Sequence, residues 1–222
     1  MTLSAEWDAV YRGSRHLSVW PWTDLVSYVH RYANPDAGYR RVLECGCGAG
    51  ANIPFFLSLG VDYYGIDGSP HIVARLHERF PELKHRIVRG DFTEAIPFEE
   101  TFDLVIDRAA LTHNSTPGIR RALALVCERV RSGGKLIGID WFATDHGDAK
   151  LGDVVDVWTR TNVQKGQFSG VGAVHFSDRE HLRELLREAG FEIGRLEHKQ
   201  VDTIVPERSG RLATWNFIAV KP

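Results

Sequence analysis

The chain has 222 residues, 43% hydrophobic and 25% charged, which is ordinary globular composition and enough length for one well-buried core. Its formal net charge of -2 offers no basic field to a nucleic-acid backbone or an anionic membrane, so neither partner is expected. Three cysteines, Cys45, Cys47 and Cys127, do not make a disulfide framework, and no Cys/His pairs stand at zinc spacing, so no metal is expected.

The opening residues MTLSAEWDAVYRGS lack the apolar core of a signal peptide. With no apolar run of membrane-spanning length, the expected location is the cytoplasm. Trp7, Tyr11, Trp20 and Trp22 make residues 1–38 unusually aromatic, and Thr23 to Tyr32 reads as a helix over the mouth of the sheet that follows. Such a segment either covers a bound cofactor or packs its tryptophans against the first helix.

Tyr39 to Glu44 reads as a strand, followed by Gly46-Cys47-Gly48-Ala49-Gly50 and a helix from Ala51 to Leu59 closed by Gly60. Val61 to Ile66 is a second strand ending at Asp67. Ser69-Pro70 starts a helix, with a capping hydroxyl before a proline, and Ile72, Leu76 and Phe80 form its apolar stripe. His85 to Val88 and Phe102 to Ile106 are further strands, ending at Gly90-Asp91 and Asp107. Ile119, Leu123, Val126 and Val130 mark another helix, broken by Ser132-Gly133-Gly134 before a strand from Lys135 to Trp141.

Residues 142–176 then lose the rhythm and are expected to be an excursion over the substrate side. A capping box at Ser177-Asp178-Arg179-Glu180 restarts a helix, and strands near Ile193 to Leu196 and Ala213 to Val220 complete the chain. Short buried runs alternating with amphipathic helices predict a parallel sheet covered on both faces, in one domain over 1–222.

The first four strands end in a glycine loop, Asp67, Asp91 and Asp107. Ligands bind outside the carboxyl ends of such strands, where glycines admit a ligand to backbone amides. Asp67 suits the two hydroxyls of a ribose, although a strand-end acid also serves as a turn or capping residue; the same choice stands for Asp91. Gly46-x-Gly48-x-x-Ala51 by itself also satisfies the dinucleotide fingerprint. A nicotinamide-dependent oxidoreductase is therefore one alternative, although no tyrosine has a lysine four residues on; a non-catalytic cofactor-binding module is another.

The ordered series Glu44-x-Gly46-x-Gly48-x-Gly50, Tyr64-Gly65-Ile66-Asp67, Gly90-Asp91-Phe92, Phe102 to Asp107, Ser132 to Leu136 and Glu188 to Phe191 resembles the class I S-adenosylmethionine-dependent methyltransferases. The resemblance implies a Rossmann-like, seven-stranded, mostly parallel α/β sheet with its last strand antiparallel, and S-adenosylmethionine as cofactor. It implies that Gly46, Gly48 and Gly50 face the methionine part, with Glu44 placing the ammonium indirectly or only bracing the loop. Asp67 would hold the ribose with Gly68 and Ser69 beside it. Asp91 and the Phe92 amide would meet the adenine. Asp107 and Arg108 would lie near the methionine end and the acceptor.

A sulfonium methyl is already activated, so the protein mainly aligns the acceptor, and a hydroxyl acceptor also needs a base. His113 is the leading base, with a structural histidine as its alternative; His175 and His146 stand behind it. Arg108, His175 and Trp22 are the expected substrate contacts, unless Arg108 merely pairs with Asp103 or Asp107. No Asp/Asn-Pro-Pro-Tyr loop and no nucleophilic cysteine after proline is present, which leaves a small-molecule acceptor. The N-terminal segment is similar to that of small bacterial methyltransferases near cell-surface sugar biosynthesis, so a sugar or glycan precursor is one such acceptor.

Overall fold

The computed structural model describes residues 5–205 and 210–222. Seven strands form one sheet: β1 (Arg41–Cys45), β2 (Asp62–Asp67), β3 (Ile87–Arg89), β4 (Phe102–Arg108), β5 (Val130–Phe142), β9 (Glu192–Asp202) and β10 (Arg211–Val220). Their spatial order is β3-β2-β1-β4-β5-β10-β9. Strands β1 to β5 are mutually parallel, and β10 runs antiparallel to both of its neighbours. The order in which strands are added therefore reverses between β1 and β4, the place where an open parallel sheet leaves a crevice at its carboxyl edge.

Helices cover both faces because adjacent strand residues point oppositely. Val42, Leu104, Ile106, Ile137 and Ile139 pack with Leu25, Ile53, Phe56 and Leu76 from helices α2 (Thr23–Tyr32), α3 (Ile53–Ser58) and α4 (Pro70–Arg79). Their alternates Leu43, Cys45, Val105 and Leu136 pack with Ile119, Leu123, Leu182 and Leu186 from α5 (Thr116–Arg129) and α6 (Arg179–Glu188). All these side chains are essentially inaccessible, so truncating any of the leucines to alanine is expected to cost about 2–5 kcal/mol.

Three local details differ from the sequence reading. β5 begins at Val130 rather than after the glycines: Gly133 takes a left-handed φ of 73°, and the pairing with β4 slips between Phe102 and Leu104. The cap of α6 is Asp178, not Ser177; its carboxylate accepts from the His181 amide at 2.8 Å. Residues 142–176, read from the sequence only as an excursion, carry a sheet of their own. β6 (Asp153–Val154), β7 (Thr159–Thr161) and β8 (Val174–His175) form a small antiparallel sheet. Phe142, Ala149, Val163, Phe168, Val171, Val174 and Phe176 build a separate apolar cluster around it. Ser69 caps α4 as expected, accepting from the Ile72 amide at 3.1 Å. Among the described residues no helix is long and apolar enough to cross a membrane.

Candidate active site

At the carboxyl edge of β1, β2 and β4 lies a cavity of about 850 Å³, within the range typical of small-molecule sites. One end is made mainly of backbone. Gly46 has φ +68°, and a Cβ there would come within 2.2 Å of the Ala110 Cβ. Gly48, at φ +49°, lies under the Tyr11 hydroxyl. Only glycine satisfies both the left-handed backbone and the close approach. Gly50 does not line the cavity; a Cβ there would strike Leu76 and Ile53, so its part is in packing the loop.

Three carboxylates sit buried at these strand ends. Glu44 accepts from Asn52 Nδ2 at 2.7 Å and from the Tyr63 hydroxyl at 2.6 Å, and burial pushes its carboxyl up to about 7. Asp67 accepts from the Gly48 amide at 2.8 Å and the Ser69 amide at 2.9 Å; burial raises it to about 6 against those two bonds. Both line the cavity, as do Gly68 and Ser69. Asp107 does not. It is wholly inaccessible, and its Oδ1 accepts from the Leu111 and Ala110 amides at 2.9 and 3.2 Å. Burial raises its carboxyl to about 7, opposed by the Leu111 amide and by the Trp141 indole lying against it. Asp107 therefore shapes the turn behind the cavity rather than meeting a ligand.

Asp91 takes both Thr93 donors, amide at 2.9 Å and hydroxyl at 2.7 Å, on the one oxygen Oδ1. It is a turn acid with its second oxygen left over, and it and Phe92 line the cavity. The residues fit S-adenosylmethionine. Buried Glu44 and Asp67 have raised carboxyls, as expected where cationic partners are few, and the cofactor carries sulfonium and ammonium charges. Asp67 and Asp91 keep lone pairs for ribose hydroxyls and an exocyclic amine.

The other end of the cavity is made of side chains. Arg108, half-buried, meets Asp140 Oδ2 through Nη2 at 3.0 Å and lies 3.5 Å over the Trp22 ring. Neither partner expected for Arg108, Asp103 or Asp107, is the one found. His113 hydrogen-bonds the Ala173 carbonyl through Nδ1 at 3.0 Å, so that nitrogen carries the proton and Nε2 the lone pair. Its ring meets Trp7 and Phe142 edge-on, with centroids 4.8 and 5.7 Å away. Burial lowers the imidazole to about 4, so it is neutral at physiological pH.

His175 is excluded from the cavity. It is fully buried between the Thr159 and Ser177 hydroxyls, each at 3.1 Å, and serves the small sheet instead of a substrate. His146 is likewise outside, its Nδ1 accepting from the Asp148 amide at 3.0 Å among Phe142, Phe168 and Phe176.

The sequence reading missed Asp140, Phe168 and Thr214, which line the same cavity, and Asn52, which joins Glu44 to the Trp22 amide. It also missed Asp8 on the helix α1 (Ala5–Arg12), whose Oδ1 accepts from the Ser69 hydroxyl at 2.5 Å and so fastens that helix over the mouth. No spacing rule marks any of these, since each acts across long sequence separations; Asp140 alone carried a trace, as the acid at the carboxyl end of a predicted strand.

A family model described as a methyltransferase domain matches residues 42–134, the stretch from β1 to the start of β5. Comparison with curated protein sequences finds no match. Among solved structures, an S-adenosylmethionine-dependent methyltransferase from Methanosarcina mazei superposes with a TM-score of 0.67 at 19% identity, over 91% of this chain and 98% of that one. Another, from Clostridium acetobutylicum, gives 0.63 at 14% identity, over 97% and 96%. An amino pentose methyltransferase from Micromonospora echinaspora, involved in calicheamicin biosynthesis, gives 0.58 at 20% identity, over 97% and 96%. At these identities the likeness is one of fold. The antiparallel β10, inserted between β5 and β9, also departs from the 3-2-1-4-5-6 order of dinucleotide-binding oxidoreductases. Residues 42–134 thus match a methyltransferase domain, and the chain as a whole has the fold of the S-adenosylmethionine-dependent methyltransferases, with a cavity whose residues fit that cofactor.

Proposed function

We propose that the protein transfers the methyl group of S-adenosylmethionine to a hydroxyl of a small, oxygen-rich molecule, of which a sugar is the leading class. The observation carrying this reading is His113: a neutral imidazole with its proton fixed on Nδ1 and its Nε2 lone pair left over, in the wall of the same cavity that holds Asp67 and Asp91. S-adenosylmethionine, held by the glycine loop, Asp67 and Asp91, would supply an activated methyl. His113 Nε2 would take the proton of the acceptor hydroxyl. Trp22 and Phe142 flank the acceptor and exclude water, which leaves placement at near-attack distance as the main source of acceleration. The amino pentose methyltransferase with the same fold supports a sugar-like acceptor. Three free, buried thiols suit a reducing compartment, so the cytoplasm is the proposed site of action.

The experiment is a methyl-transfer assay with labelled cofactor on sugars, nucleotide sugars and phenols, beside amines and thiols. Label on a hydroxyl acceptor is the expected result. Label confined to amines or thiols would overturn the assignment of His113 as base.

A further inference from the structure

The wall of the cavity contains a charge pair, Arg108 with Asp140. Arg108 is the only Lys or Arg lining the cavity among the described residues. It stands at the end of β4 with its guanidinium over Trp22, and its buried Nε has no hydrogen-bond partner. Left to itself, such a group is an anion site, because a guanidinium binds carboxylates and phosphates in a forked geometry. Asp140 prevents that. It lies across from Arg108 at the end of β5, bonded to Nη2 at 3.0 Å, and it also lines the cavity.

Two further observations show that Asp140 is held there on purpose. First, its backbone is left-handed, φ 56°, within a strand, a conformation that costs free energy unless the surroundings enforce it. The Asn216 Oδ1 enforces it by accepting from the Asp140 amide at 2.9 Å. Second, its other oxygen is tied down: Lys199 Nζ meets Oδ1 at 3.0 Å, and the Thr214 hydroxyl lies at 3.5 Å. Lys199 is itself paired with Asp24, which also accepts from Asn216 Nδ2. The network thus holds two acids, Asp24 and Asp140, and two bases, Arg108 and Lys199. Burial and the nearby Arg15 and Arg108 charges shift His16 down, and the buried carboxyls of Asp107 and Glu44 also act on the guanidinium.

We propose that Asp140 is a specificity-determining residue: by pairing with Arg108 it cancels the guanidinium charge facing the acceptor chamber and reserves that chamber for uncharged, oxygen-bearing acceptors. Arg108 then acts as a hydrogen-bond donor to a neutral oxygen, and acceptors carrying phosphate or carboxylate are rejected. The inference rests on the cavity's being the acceptor site, as in the function proposed above, but its test needs no methyl transfer.

The test is calorimetric titration of inorganic phosphate, at constant ionic strength, into protein saturated with S-adenosylhomocysteine so that the glycine loop is filled. Wild type should show no saturable binding at millimolar phosphate. Asp140→Asn should bind at least about tenfold more tightly, since Asn tolerates the left-handed backbone and leaves the guanidinium uncompensated. Asp140→Gly, which also suits that backbone, should behave alike, so the result does not hang on one variant's folding. Adding Arg108→Gln to Asp140→Asn should abolish the gain. Tight phosphate binding by wild type that Arg108→Gln removes, or no gain in either Asp140 variant that still binds S-adenosylhomocysteine, would overturn the proposal. Failure to bind S-adenosylhomocysteine at all would instead strike the cofactor reading beneath it.

Discussion

The two ends of the cavity are built by different means. The cofactor end rests on backbone: left-handed glycines at 46 and 48, amides of Gly48 and Ser69 held by Asp67, and a turn at Asp91 fixed by Thr93. The acceptor end rests on side chains delivered from five separated stretches, with Trp22, Arg108 with His113, Asp140 with Phe142, Phe168 and Thr214 as their representatives. Backbone turns hold a fixed ligand wherever the fold recurs. A wall of side chains changes its chemistry by one substitution without disturbing the sheet.

The sharpest break between the two ends is expected at His113. His113→Gln should lower turnover by about 10²–10⁴-fold while leaving S-adenosylhomocysteine affinity nearly unchanged, as kinetics and calorimetry on the same preparation would read. Because burial holds the imidazole at about 4, wild-type turnover should be flat above about pH 6 and fall only as the pH drops towards 4, where protonation removes the lone pair. A variant losing turnover and cofactor affinity together would mean that the two ends are not separable at this residue.

The opposite separation is expected at Asp67. Asp67→Ala should weaken S-adenosylhomocysteine binding by about 1–3 kcal/mol, since it strands the ribose hydroxyls and the Gly48 and Ser69 amides together. Unchanged affinity in calorimetry, with the fold intact, would move the ribose elsewhere.

Asp107 sharpens the comparison from behind both ends. Its folded carboxyl is raised to about 7 from an ordinary value near 3.8, so the protonated form contributes stability that is complete below about pH 4 and lost as the pH rises through 7. Asp107→Asn keeps the acceptor oxygen for Leu111 and Ala110 but cannot ionise. Its urea midpoint relative to wild type should therefore climb between pH 5 and pH 8. A constant difference across that range would mean that Asp107 ionises without cost in the fold.

The smallest expected effect concerns covering. On binding S-adenosylhomocysteine, amide exchange should slow most in residues 5–16, because α1 is fastened mainly through Asp8 to Ser69 and through Trp7. Residues 142–176 should change less, since their own apolar cluster already holds them. Equal slowing in both would make the excursion a second moving part.

Why one end was legible in the sequence and the other was not follows from the same contrast. Gly46, Asp67 and Asp91 each act within a few residues of a strand end, so spacing along the chain reports geometry directly. The sheet was equally readable, because alternation at Val42-Leu43 or Leu104-Val105 is local. Asp140 and Arg108 meet across 32 positions, Lys199 and Asp24 across 175, and no periodicity links them. His175 misled for the converse reason: it resembles a catalytic residue in type, but Thr159 and Ser177, which consume both ring nitrogens, lie on either side of a reversal invisible before folding. Asp107 misled by its place at a strand end, where the turn to Leu111 claimed it first.

Trp7 packs against both the apolar cluster of the excursion and the cluster of Tyr11, Ile72 and Val73 beside the glycine loop. The eight-residue helix that carries it is thus a common roof, pinned to the cofactor end by Asp8 and to the acceptor end by the edge of the His113 ring. Lifting that helix would therefore uncover both ends of the cavity together, although the two ends were assembled by unrelated rules.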